Sequence, residues 1–249
     1  IYQPSHTMCA IYWNKQIKTQ EFTQNKPPKT LFNVEIEMNN LKISEIFKLL
    51  YPNFNENLPN LEQSNIPEDI KKTEPQLQYA PDYSMSNDKF KLSFSDNAIS
   101  FGNVNQYQLW GSYFPFIIDS LSKIFSLLGN LKVERIGVRY ISVFDSIIDP
   151  GEIIQNLPSL KLANFSENFH EFKTLLTKDD ISLFVRLFSK AEITKNQKSK
   201  IGTVIDIDSF SELKTDNLEI IIGKIDLLHT EQKNTFFSLL KPSFLDSLN

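Results

Sequence analysis

Val133-Glu134-Arg135-Ile136-Gly137-Val138-Arg139-Tyr140-Ile141-Ser142-Val143-Phe144 is the stretch on which the fold reading turns. Side chains alternate across a strand with a period of two. Ile136, Val138, Tyr140, Ser142 and Phe144 therefore share one face. Arg135, Gly137, Arg139, Ile141, Val143 and Asp145 share the other. A strand with one apolar face and one face carrying two arginines needs a helix layer on the first and charged partners on the second.

Outward from this strand the pattern repeats. Upstream, Phe90, Leu92 and Phe94 alternate with Lys91 and Ser93, Asp96-Asn97 turns the chain, and Ala98 to Phe101 returns, which predicts a hairpin. Asn105 is placed to cap a helix with apolar positions Tyr107, Trp110, Phe114, Ile117, Ile118, Leu121, Ile124, Phe125 and Leu128. Pro115 is expected to kink it, and Gly129 to stop it. Downstream, Ile181 to Phe188 and Ile201 to Asp208 read as strands joined by a basic loop over 190–200. A helix from Leu218 to about Leu240 follows. Hairpin and helix thus occur at 89–128 and again at 181–240. A strand over Leu31 to Met38 with a helix over Leu41 to Leu50, stopped by Pro52, is a weaker third copy.

The fold class expected is α+β, with antiparallel or mixed sheets each covered on one face by a long helix. The repetition allows an internal duplication of a strand-strand-helix unit. Residues 1–24 read as a tail. Residues 25–249 read as one domain with two similar halves, 25–149 and 150–249. Prolines 52, 59, 67, 75 and 81 mark 51–88 as an extended loop.

Composition narrows the function classes. The chain has 249 residues, a net charge of −4 and one cysteine. No apolar run approaches the roughly 20 residues of a membrane helix. Cys9 alone supports no internal disulfide. No signal peptide is visible, and Met8 is a candidate start. These features suggest a cytoplasmic protein. An acidic balance without a basic tail argues against a nucleic-acid binder. Seven glycines and no Walker loop, G-x-G-x-x-G, H-E-x-x-H or G-x-S-x-G argue against phosphate-loop, dinucleotide, zincin and α/β-hydrolase chemistry. His6, His170 and His229 fall in different segments, so no metal and no cofactor is expected.

Asp206 and Asp208 form the best carboxylate pair. At i and i+2 on a strand they lie about 7 Å apart on one face. That spacing suits a divalent cation in a nuclease or phosphotransfer site. Pairing with arginine is the structural alternative. Arg135, Arg139 and Arg186 are the only arginines, beside 23 lysines. Arginine in such a background implies multidentate hydrogen bonding, either in an internal ion-pair network with Asp145, Asp206 and Asp208 or in an anion site. His229, next to Leu228, reads as a satisfied, partly buried histidine. Tyr107, Trp110 and Phe114 read as core. Lys195, Lys198 and Lys200 read as solvated.

Several segments in order carry a resemblance: Asn25-Lys26-Pro27-Pro28, Tyr107-x-x-Trp110-x-x-x-Phe114, Arg135-Ile136-Gly137-Val138-Arg139-Tyr140-Ile141, Ile205-Asp206-Ile207-Asp208, and Leu228-His229 before Phe236. Over about residues 22–248 the chain resembles a sporadically distributed family of bacterial proteins to which no reaction is assigned. It departs from that pattern at Lys29 and Thr30, where a glutamate is common, and at Ser142, where an asparagine is usual. The resemblance implies a patchily inherited prokaryotic protein of a kind found among mobile or defence-related genes. The leading expectation is a non-enzymatic accessory or antitoxin-like protein that binds another protein, with self-association an option. A metal-dependent nuclease or phosphotransfer enzyme using Asp206 and Asp208 is the alternative. A nucleic-acid binder using Arg135, Arg139 and the 195–200 loop is the second.

Overall fold

The arginine-bearing strand lies near the middle of a single antiparallel sheet. The structure is a computed structural model that describes residues 29–38, 43–74, 77, 79–96, 98–104, 107–129, 131–145, 147–157, 171–195 and 198–247. The 1–24 tail, Pro27-Pro28, His6, Cys9, the Asn39-Asn40 turn, Asn105 and His170 lie outside these residues. The described strands are β1 (Lys29–Met38), β2 (Asn60–Gln63), β3 (Tyr83–Ser86), β4 (Phe90–Phe94), β5 (Ala98–Asn103), β6 (Val133–Asp145), β7 (Glu171–Lys178), β8 (Ile181–Lys195) and β9 (Lys198–Thr215). The helices are α1 (Ile43–Phe54), α2 (Glu68–Thr73), α3 (Trp110–Leu128), α4 (Leu218–Leu239) and α5 (Pro242–Asp246).

The strand order is β2-β3-β4-β5-β1-β6-β9-β8-β7, and the neighbours pair antiparallel. The fold is α+β. The two halves, each expected to carry its own sheet, join edge to edge at β1–β6. The order is palindromic about that seam. β1 opens one half, which closes with β3, β4, β5 and α3. β6 opens the other, which closes with β7, β8, β9 and α4. Among the described residues β2 has no counterpart. The two strand-strand-helix units, β4-β5-α3 and β8-β9-α4, lie on opposite sides of that seam.

One face of the sheet builds the core. Met85, Leu92, Phe101, Ile136, Val138, Ile205, Ile207, Leu183 and Val185 pack there with Leu50 of α1, Ile117 and Leu121 of α3, and Ile225 and Leu228 of α4. Ile136 and Val138 belong to the inward set read for this strand in the sequence, whereas Met85 lies in the segment expected to be a loop. Pro115 lies inside α3, yet the helix is continuous from Trp110 to Leu128. Its missing amide frees the carbonyl of Gly111, an exposed residue of the first turn, where an orphan carbonyl costs least. Gly129 ends α3 at φ +72°. Asn217 caps α4 by accepting from the amides of Glu219 and Ile220. No described helix is long and apolar enough to cross a membrane.

Three expectations are corrected. Pro52 does not stop α1, which runs to Phe54, because Leu50 and Phe54 are both buried and hold the last turn against the sheet. Residues 51–88 are not a bare loop. They hold β2, α2 and β3, and Lys71 clamps the return by donating to the carbonyl of Ala80 at 2.8 Å and to Asp82 at 2.5 Å. Phe47 of α1 stacks on Tyr83 of β3 with centroids 4.0 Å apart, a contact invisible to local periodicity. The basic stretch 190–200 is mostly strand: β8 and β9 extend through it with an irregularity between Phe188 and Ala191, where Lys190 takes φ +49°. β7 was not expected at all. It is an edge strand whose adjacent Leu175 and Leu176 break the alternation that would mark it.

Phe94 is fully buried against Phe47 and Phe54. Phe94→Ala is expected to cost about 3–5 kcal/mol, read as a lower urea midpoint with an unchanged slope.

Candidate functional site

The face opposite the core holds the charged residues, and register decides who meets whom. Arg139 of β6 lies across from Asp208 of β9, and Ile141 from Asp206. Asp206 lies across from Arg186 of β8. Asp206 receives Arg139 as a fork, Nε to Oδ1 at 2.8 Å and Nη2 to Oδ2 at 2.7 Å. Nε of Arg186 lies 3.1 Å from the same Oδ2. Asp206 is 1% exposed, Arg186 2% and Arg139 7%, so a buried carboxylate is bracketed by two buried guanidiniums. The Arg186 guanidinium lies over the Phe184 ring at 4.7 Å, and that of Arg135 over Phe210 at 4.6 Å.

Asp208 behaves differently. It is half-buried, and it forms no hydrogen bond or ion pair with another described residue. Burial pushes its carboxyl above the usual carboxylate range, and the charges of Arg139 and Arg135 oppose that rise. Gly137 keeps this part of the face low. A Cβ there would sit 3.6 Å from Nη1 of Arg135 and 3.8 Å from Oδ1 of Asp208. The same row continues into the first half as Ser100, Ser93 and Ser84, all buried, with the hydroxyls of Ser84 and Ser93 2.8 Å apart.

The five residues singled out in the sequence are thus neighbours on one face, but they are not equivalent. Both oxygens of Asp206 are engaged by Arg139, so a cation at Asp206 would have to displace that fork. Among the described residues no three His, Cys, Asp or Glu side chains cluster as metal ligands. Arg139 and Arg186 are too buried to lie along a nucleic-acid backbone. Lys200 is exposed.

A second polar cluster sits on the core side. The Tyr140 hydroxyl lies 2.7 Å from Nδ1 of His229 and 3.0 Å from the Tyr107 hydroxyl. The Trp110 indole stacks on the imidazole at 3.8 Å and donates from Nε1 to Asp226 at 2.9 Å. Burial holds His229 down to about 4, against a weaker opposing pull from Asp226. Burial also raises Tyr140 and Tyr107. The set is a neutral chain of hydroxyls and an imidazole fastening α4 and the entry to α3 onto β6. Sequence reasoning found His229 and the Tyr107-Trp110 stripe separately. The link is Tyr140, legible only as a hydroxyl on the inward face of β6.

No protein-family model matches the chain, and no curated protein matches it.

Two outcomes follow from the geometry. Asp206→Ala strands two guanidiniums and is expected to destabilise by about 3–5 kcal/mol, whereas Asp208→Asn at neutral pH is expected to be neutral or stabilising, because it removes a carboxylate that burial disfavours; chemical denaturation separates them. His229 is neutral when folded, and the unfolded chain takes up its proton below about pH 6.5. Stability from this group is complete above pH 6.5, falls as pH drops from 6.5 to about 4, and is then level, a loss of roughly 3 kcal/mol at most. His229→Gln is expected to flatten that part of a stability-against-pH curve.

Proposed function

We propose that this chain is a non-enzymatic accessory protein of the bacterial cytoplasm that binds another protein. The observation that carries this reading is an apolar stripe left open beside the sheet edge. On α4, Ile220, Lys224, Leu227 and Glu231 recur at helical spacing. Lys224 pairs with Asp180 at 2.6 Å, and Glu231 with Lys178 at 2.9 Å, so this stripe faces the β7 end of the sheet. Ile220 is 51% exposed and Leu227 43%. Leu176 of β7, in register with the core residue Leu183, is 47% exposed on the same side. Aliphatic side chains framed by ion pairs of both signs suit a partner with an apolar ridge and a charged rim. The resemblance to a patchily inherited bacterial family agrees with a partner encoded nearby, as for an antitoxin-like or defence-associated protein. Sequestration of Asp206 between two guanidiniums weakens the nuclease reading.

The test is affinity purification from cells expressing the chain with its neighbouring genes. A stoichiometric partner is expected. The double change Ile220→Lys and Leu227→Lys is expected to weaken its retention about tenfold or more, without moving the melting temperature. Clean monomer from the native background, or full retention by the double variant, contradicts the proposal.

A further inference from the structure

β7 ends the sheet, and among the described residues no strand lies on its outer side. Leu175 is 55% exposed and Leu176 47%, and Glu171, Thr177 and Lys178 are exposed too. Edge strands are usually guarded against pairing by prolines, bulges or free lysines. β7 contains no proline, and its register with β8 runs from Glu171–Phe188 to Lys178–Ile181 without a shift. Its two lysines are engaged within the chain, Lys173 with Glu171 and Lys178 with Glu231. The two-residue turn Asp179-Asp180 settles which backbone groups face out. Such a turn is closed by a hydrogen-bonded pair, so Lys178 points its amide and carbonyl at Ile181. These groups alternate along an antiparallel strand. Phe172, Thr174 and Leu176 therefore bond to β8 as well, while Glu171, Leu175 and Thr177 turn theirs outward. Phe172, Thr174 and Leu176 also share the helix side of the sheet, in register with the core residues Leu187, Val185 and Leu183.

We propose that β7 pairs antiparallel with β7 of a second copy of this chain, across a twofold axis at Thr174. A twofold normal to the sheet keeps each residue on its own face, so the register is defined by the residue on the axis. With Thr174 there, Glu171 lies opposite Thr177 and Lys173 opposite Leu175, each twice. These are the hydrogen-bonded positions, and they supply about eight backbone bonds. Between them Phe172 lies opposite Leu176, twice, and Thr174 opposite itself, where cross-strand side chains approach most closely. Charge selects this register. With Lys173 on the axis, two lysines oppose each other, which is destabilising. With Leu175 on the axis, Glu171 opposes Asp179 and Phe172 opposes Lys178. With Leu176 on the axis, only Leu175 and Thr177 remain to bond. The Thr174 register opposes no like charges and sets an aromatic ring against a leucine on each side of the axis. The edge is thus complementary to itself. This ladder takes up Leu176 but leaves Ile220 and Leu227 on α4, so it goes beyond the partner-binding reading, and the two fail separately.

The test is sedimentation velocity of the full chain over a range of concentrations. A reversible monomer–dimer equilibrium is expected, with a Kd of about 1–100 μM for so small an interface. Leu175→Pro removes an outward amide, a change that an edge strand tolerates. It is expected to weaken dimerisation about tenfold or more while the protein stays folded. If that variant does not fold, Leu175→Lys sets a second cation opposite Lys173 and is expected to weaken the dimer likewise. Crosslinking reads the register. Cys9 is the sole native cysteine, so the variants are made with Cys9→Ser. Thr174→Cys places two thiols across the axis within reach of a disulfide, and mild oxidation is expected to give a covalent dimer. Thr177→Cys, opposite Glu171, is expected to give none. Monomer at every concentration overturns the proposal, as does a dimer that Leu175→Pro or Leu175→Lys leaves at full strength. So does crosslinking through Thr177→Cys in place of Thr174→Cys. Loss of the dimer in the Ile220→Lys, Leu227→Lys variant places the contact on α4 and overturns it too.

Discussion

The fork between Arg139 and Asp206 is the interaction on which the rest of the sheet depends. It joins β6 to β9 across the middle of their ladder, and Arg186 ties β8 to the same carboxylate. A slip of one residue between these strands would turn the charged set toward the helices and the Ile-Val set away from them. Apolar burial supplies most of the stabilisation, but apolar contacts alone tolerate repacking. The buried ion contacts specify one pairing among several that would bury similar area. Burying charge for this purpose is costly in itself, and its worth lies in how severely the alternatives are penalised.

The sheet is therefore two-faced in composition as well as in covering. Behind β6 and β9 lie Val138, Ile207 and the α4 side chains, with one polar fastening where Tyr140 meets His229. Ser209 adds a smaller tie there, its hydroxyl donating to the carbonyl of Val138 at 3.1 Å or of Leu228 at 3.2 Å. In front lie guanidiniums, carboxylates, a glycine and a row of small hydroxyls, with a modest apolar group of Ile141, Val143, Phe188 and Val204 at one end. Both oxygens of Asp206 are held by the Arg139 fork, so a metal or substrate there would have to compete with arginine. Polarity on this face serves register.

Much of this was legible from the residues. Alternation separated the two faces of β6. Helical spacing placed α3 and α4 to within a few residues. The scarcity of arginine pointed to the side chains that meet Asp206. What escaped notice shares one physical cause, long-range pairing. β2 and β3 lie in a proline-rich segment whose order comes from each other, from Phe47 and from Lys71. β7 is an edge strand with two exposed leucines in succession, so its period is blurred. Pro52 reads as a stop only until the buried ring of Phe54 is known. The inequality of Asp206 and Asp208 also escaped, because register rather than spacing sets each carboxylate's neighbours.

The seam between β1 and β6 has a consequence in time. Its two strands are separated in the chain by the whole first half, so the ladder cannot close until the chain is made through Asp145. Until then β1, already flanked by β5, presents a ten-residue edge of unpaired amides and carbonyls. A nascent chain in that condition is a template for any extended segment nearby, including the β1 of a neighbouring copy. The palindromic order makes the hazard specific, since β6 and a second β1 would compete for the same edge. Assembly of this sheet is thus a race between synthesis of the second half and capture of the first, decided by how quickly β6 arrives.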